Sequence, residues 1–104
     1  MRASRRILRK LPKEAKLQIG AELQRVQEGK EPLDWKPMPA IGPGAMEIRI
    51  HEPHEHRVVY VAKFSEAIYV LWCFDKKSTK TPKLEIETAR KAYAEMQKQR
   101  QERG

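Results

Sequence analysis

Three runs rich in Val, Ile, Tyr and Phe, at residues 46–51, 57–64 and 67–74, follow one another with only short polar links between them. Links that short join strands lying side by side in opposite directions, so this part of the chain reads as an antiparallel meander. In the first run Met46, Ile48 and Ile50 alternate with Glu47, Arg49 and His51, which puts Arg49 on the face opposite the apolar stripe. The second sets Arg57, Val59, Val61 and Lys63 against Val58, Tyr60, Ala62 and Phe64, apolar on both sides as a central strand is.

The flanking segments read as helices. Ser4 can cap a short helix carrying Ile7, Leu8 and Leu11, which Pro12 halts while starting a second. In that second helix Ala15, Ile19, Leu23 and Val26 share one face, and Gly29 marks its end. Residues 30–44 hold Pro32, Pro37, Pro39, Pro43, Gly42 and Gly44, a density that forbids regular helix and limits pairing to short edge segments. Trp35 and Met38 are expected to pin this loop to the core. Thr81 and Pro82 announce a last helix, with Ile86, Ala89, Tyr93 and Met96 on one face; residues 97–104 lack apolar side chains and read as a fraying tail. The result is an α+β fold with helices on one face of a small antiparallel sheet of three to four strands, leaving the other face open for function.

At 104 residues the chain suits one domain, 1–104, without staples. The single cysteine, Cys73, cannot form an internal disulfide and lies in an apolar run, and no secretion signal or membrane span is apparent. A reducing, cytoplasmic setting is the expectation. Lys and Arg number 22 against 14 Asp and Glu, a formal charge of +8. Such an excess points to an anionic partner, of which nucleic acid, an acidic protein and an anionic membrane surface are examples.

Arg49 and Arg57, both inside strands, and Lys76 and Lys77 after another are cations that folding does not ask for. Arginine's planar fork suits phosphate oxygens, and such a cluster stabilises the charge that builds on phosphorus during cleavage. The alternative is structural, each pairing with Glu47, Glu52 or Asp75. RNA brings its own 2′-hydroxyl as nucleophile, so metal-independent cleavage needs a base, an acid and a charge stabiliser. Neighbouring cations lower a lysine's pKa, which suits Lys76 or Lys77 to proton transfer. His51 shares a strand face with Arg49 and has the best claim to a catalytic part among His51, His54 and His56; Pro53 breaks that histidine segment, and no metal site is expected. No phosphate loop, nucleophilic serine or dinucleotide fingerprint is present, so no cofactor is expected.

Several motifs in order carry a resemblance: Trp35-Lys36-Pro37-Met38; residues 41–50, with Glu47-Ile48-Arg49; Arg57-Val58-Val59-Tyr60; residues 69–77, ending Phe74-Asp75-Lys76-Lys77; and Lys80-Thr81-Pro82 with Glu85, Ile86 and Ala89. These resemble the phage-derived toxin family of the RelE/HigB superfamily over nearly the whole chain. The resemblance implies a RelE-like fold and the toxin of a type II toxin–antitoxin module. It further implies ribosome-dependent mRNA cleavage, arrest of translation, and inhibition by a helix-turn-helix antitoxin, including a possible heterotetramer. No membrane partner is implied.

Arg49, Arg57 and Lys77 carry over as the core of the active set, with Lys76 and His51 beside them. Lys36, Lys63, Lys80, Lys83 and Phe74 are assigned to nucleic-acid binding. Two features depart from the family: Trp72 stands where relatives have histidine, which removes a proton-transfer group, and relatives begin with a strand where only three residues precede Ser4. Either the sheet lacks that edge strand or the start is truncated. Two other functions share the fold or the charge: ParE-like inhibition of gyrase, and a non-catalytic basic module that binds RNA or the ribosome. Arg57→Ala is expected to reduce cleavage greatly while the domain stays folded.

Overall fold

The structure, a computed structural model, describes residues 13–51, 54–63, 68–75 and 82–103. The proposed first helix at Ile7, Leu8 and Leu11 therefore lies outside the described residues, as do Lys76, Lys77 and Lys80. The element order is α1 (Lys13–Gln27), β1 (Trp35–Pro37), β2 (Ala45–Ile50), β3 (His56–Val61), β4 (Tyr69–Asp75) and α2 (Lys83–Arg103). The four strands form one sheet in the order β1-β2-β3-β4, each antiparallel to its neighbour. The meander is as the sequence predicts, and a short strand from the proline-rich loop is added at its edge. Proline suits that place, because Pro37 has no N–H to leave unpaired on the open side.

α1 ends where the sequence says it should. Gly29 adopts φ 80, its N–H bonds Val26 O at 3.0 Å, and the Lys30 N–H bonds Arg25 O at 2.8 Å. This is the Schellman closure that a left-handed glycine makes cheap. The chain that follows is tied back by Glu22, a buried helix residue whose Oε2 accepts the Leu33 N–H at 2.8 Å.

The helices do not share a face of the sheet. Ile19, with Leu23 and Val26, packs on Ile48, Ile50, Val58, Tyr60, Val70 and Cys73. Ala89, Tyr93 and Met96 pack on the opposite side, with Val59, Val61, Leu71 and Phe74 and with Met38 and Ile41 of the loop. The expectation of one open face is thus corrected: β3, with all six residues buried, is apolar on both sides because each side receives a helix. Among the described residues, Asp34, Arg49, His51 and Glu55 keep part of their side chains exposed at the end of the α2-side face near the start of β3.

Other details sharpen the sequence reading. Met38 enters the core as expected, while Trp35 is a half-buried strand residue. β3 and β4 slip register between Val59 and Tyr60, which turns both Leu71 and Trp72 toward the α2 side. The tail expected to fray continues as helix to Arg103. Gln, Lys, Arg and Glu are good helix formers and sustain the turns without an apolar stripe. Burial pushes the Cys73 thiol up to about 12, so it stays protonated and packs as a small apolar group. Among the described residues no helix is long and apolar enough to cross a membrane.

Candidate functional site

Strand register builds the site. Arg49 and Arg57 are directly opposed across β2 and β3, and Phe74 of β4 is opposed to Arg57. One row along, Lys36, Glu47, Val59 and Trp72 follow one another across all four strands. Residues two apart in a strand share a face, so Glu47 and Arg49 both lie on the α2 side. Directly opposed side chains sit roughly 5 Å apart at Cβ, which forces two guanidinium groups together unless anions separate them.

The anions are present, and they close a ring. Glu47 Oε1 lies 3.6 Å from Arg49 Nε and 3.8 Å from Arg57 Nε. Arg49 Nη1 is 3.7 Å from Asp34 Oδ1, and Asp34 Oδ2 is 2.6 Å from His51 Nε2. His51 Nδ1 is 2.7 Å from Glu55 Oε2, and Glu55 Oε1 accepts Arg57 Nη2 at 3.0 Å. Three carboxylates thus alternate with two arginines and one histidine. A neutral imidazole has a single N–H, so His51 can donate to both carboxylates only as the imidazolium, which also balances the ring's charge. Its hydrogen bonds to Asp34 and Glu55 raise the His51 pKa above its ordinary value, while His51 and Arg57 lower that of Glu55.

The ring has an inner and an outer part. The Glu47 side chain is 0% exposed and that of Arg57 7%, against 31% for Arg49 and 52% for His51. Glu47 Oε1 thus lies on the inner side of both guanidinium groups, at ion-pair range of each Nε. Arg57 Nη1 also donates to His56 O at 2.9 Å. Of the structural partners the sequence suggested, Glu47 takes part, whereas Asp75 instead stands 2.7 Å from His56 Nδ1.

The structure brings Arg49, Arg57 and His51 together and sets Lys36 across from Glu47 on the same face. It does not bring Lys63 there; Lys63 lies past the other end of β3, with Cδ 2.7 Å from where a Gly44 Cβ would stand. Lys83 is exposed in the first turn of α2. Phe74, assigned to nucleic-acid binding, has its side chain buried in the core cluster with Leu71 and Val59. Trp72 donates Nε1–H to Glu85 Oε2 at 3.1 Å and ties the sheet to α2.

The sequence gives no sign of Asp34, because no periodicity marks a loop carboxylate, and it shows Glu55 only as a member of the histidine-rich link between β2 and β3, although alternation of charge around the arginines was a signal. A cavity of about 320 Å³, bordered by Val26, Trp35, Met46, Tyr60 and Ala62, lies on the α1 side and is not part of this ring.

The model of the family described as Phage derived protein Gp49-like (DUF891) matches residues 6–94. The chain belongs to that family. The Gp49-like match takes in every described member of the ring, and the family is related to toxin–antitoxin systems. No curated protein matches the chain.

Proposed function

We propose that this Gp49-like chain is the toxin of a type II toxin–antitoxin module and cuts mRNA on the ribosome, with a helix-turn-helix antitoxin as its inhibitor. The observation that carries the reading is the direct opposition of Arg49 and Arg57 at the charged end of the α2-side face. Two forks of donors side by side suit the phosphoryl oxygens of a diester under attack. In the reaction the RNA 2′-oxygen bonds to phosphorus and the bond from phosphorus to the 5′-oxygen breaks. The products are a 2′,3′-cyclic phosphate and a free 5′-hydroxyl. His51, as the imidazolium, gives its proton to the leaving 5′-oxygen, and Lys76 or Lys77 takes the proton of the 2′-hydroxyl.

The test is cleavage of a defined mRNA by the purified chain, with and without programmed ribosomes. Arg49→Ala is the cleaner probe, because Arg49 is part-exposed whereas Arg57 is buried against Glu47. Its cleavage rate is expected to fall by roughly 10²- to 10³-fold, the effect of removing one donor to developing charge. Cutting at the wild-type rate by a folded variant would remove Arg49 from the mechanism.

A second reading is favoured by Trp72. Its indole N–H is committed to Glu85, and it supplies no proton-transfer group where relatives carry one. A basic module that grips RNA or the ribosome without cutting fits that feature. Salt-dependent ribosome binding with no cleavage would identify it.

A further inference from the structure

The three carboxylates of the ring are not alike. Glu47 is sealed within the sheet face, whereas the side chains of Asp34 and Glu55 are 39% and 42% exposed, and each meets one arginine from outside. Glu55 Oε1 takes the Arg57 Nη2 donor at 3.0 Å, and Arg57 Nη1 gives one of its two N–H groups to His56 O, so an anion arriving at the Nη2 edge meets Glu55 first. Asp34 holds the corresponding place at Arg49, 3.7 Å from Nη1. A guanidinium reads the paired oxygens of a carboxylate and those of a phosphodiester with the same planar fork. Glu55 occupies the Nη2 edge of Arg57, and departure of that carboxylate would free the donor.

We propose that Asp34 and Glu55 are internal stand-ins for two neighbouring phosphates, so that the arginine site takes a nucleic-acid strand, exchanging one carboxylate for each phosphodiester. The identity of the strand as RNA rests on the nuclease reading; the exchange itself does not. His51 bridges the two stand-ins, at 2.6 Å from Asp34 and 2.7 Å from Glu55, and couples their release. A lone phosphate can replace one carboxylate and then faces the other across the arginine pair. A strand with two adjacent phosphates replaces both and leaves no outer carboxylate opposing it, the inner Glu47 staying between the two guanidinium groups.

The experiment measures binding of a labelled 2′-O-methyl RNA oligonucleotide, which lacks the attacking hydroxyl, to the full chain at fixed salt. Wild type is compared with Asp34→Asn, Glu55→Gln and Glu14→Gln, the last an exposed acid on α1 outside the ring. Removing either stand-in is expected to tighten binding roughly 2- to 5-fold, the range that a partly exposed ion pair allows. Glu14→Gln is expected to leave it within error. A dinucleotide carrying two phosphates is expected to compete at far lower concentration than inorganic phosphate.

Tightening by Glu14→Gln as large as that by Glu55→Gln would reduce the effect to net charge and overturn the proposal. So would no tightening in either ring variant, or inorganic phosphate competing as well as the dinucleotide. Cleavage of unmodified RNA separates the two readings. Wild-type cutting with unaltered binding in the variants sinks the exchange alone, and the expected binding pattern without any cutting sinks the nuclease reading alone.

Discussion

On the α1 side of the sheet, Ile48, Ile50, Val58 and Tyr60 meet Ile19 in an apolar layer with His56 at its end. On the α2 side, Val59, Val61, Leu71 and Phe74 form an equally buried layer, but Glu47 and Arg57 stand at its end in place of aliphatic residues. The two layers share the same strands, so backbone geometry does not account for the difference. Burying charges brings a desolvation cost that their attraction only partly offsets, and well-packed apolar groups in their place are often as stable or more so. A charged end to one layer is therefore better explained by what the arginines can bind than by what they add to folding.

The largest test of this comparison removes the inner anion. Glu47→Leu leaves Arg57 buried without its inner partner and is expected to cost about 3–5 kcal/mol, read from urea unfolding. Adding Arg57→Met to it should recover much of that loss, as replacing a buried pair by apolar groups does. A single variant as stable as wild type would mean that the charged end is not coupled, and the contrast between the faces would fail. The same physics revises the expectation for Arg57→Ala, which exposes the buried Glu47 to the loss of a partner as well as removing a phosphate ligand.

The apolar layer supplies the next effect. Ile19→Ala, at a side chain 1% exposed, is expected to cost about 2–5 kcal/mol. Leu23 lies on the same helix face but is only partly buried, so Leu23→Ala should cost less, near the lower end of that range. Equal losses at the two positions would place the helix in a different rotation over the sheet.

The periodic parts of this architecture were legible in advance. Ala15 and Ile19 in one helix, Ala89, Tyr93 and Met96 in the other, and the alternation through Met46, Ile48 and Ile50 all report burial, and burial is what periodicity encodes. Which face each helix covers was not legible, because β3 is apolar on both sides and fits a helix on either. The site was half legible. Arg49 and Arg57 stood out as cations inside strands, whereas Asp34 sits in a proline-rich loop and Glu55 in a link, where only the fold brings them within reach. Phe74 came from its place in the Phe74-Asp75-Lys76-Lys77 segment, and that segment does not show that strand parity turns it into the α2-side core.

A smaller effect tests how α2 is tied to the charged face. Trp72→Phe keeps the ring and loses the N–H given to Glu85, so it should cost about 0.5–1.5 kcal/mol, the net worth of one hydrogen bond. A larger loss would assign Trp72 a packing role beyond that tether.

The smallest effect is the most diagnostic of the ring, because it reads the His51 bridge between Asp34 and Glu55 directly. His51 has a folded pKa above the ordinary 6.5, raised first by its hydrogen bond to Asp34 and then by that to Glu55. Its contribution to stability is therefore fully present below about 6.5 and is lost as pH rises through the raised value. Glu55 has the opposite sign: its pKa is held below 4.5, so its contribution is present above about 4.5 and is lost as pH falls through the lowered value. The groups facing His51 are Asp34 from the loop before β1 and Glu55 from the link before β3, with Arg49 and Arg57 behind them. Both contributions coexist between about 4.5 and 6.5. Wild type and His51→Gln should differ most in that window and converge as the solution becomes alkaline. Since the His51 side chain is 52% exposed, solvent screening limits the difference to no more than about 1 kcal/mol. Denaturant unfolding of the pair across pH measures it; a difference that stays constant into alkaline solution would mean that His51 does not join Asp34 to Glu55 as a cation, leaving the ring open between the two outer carboxylates.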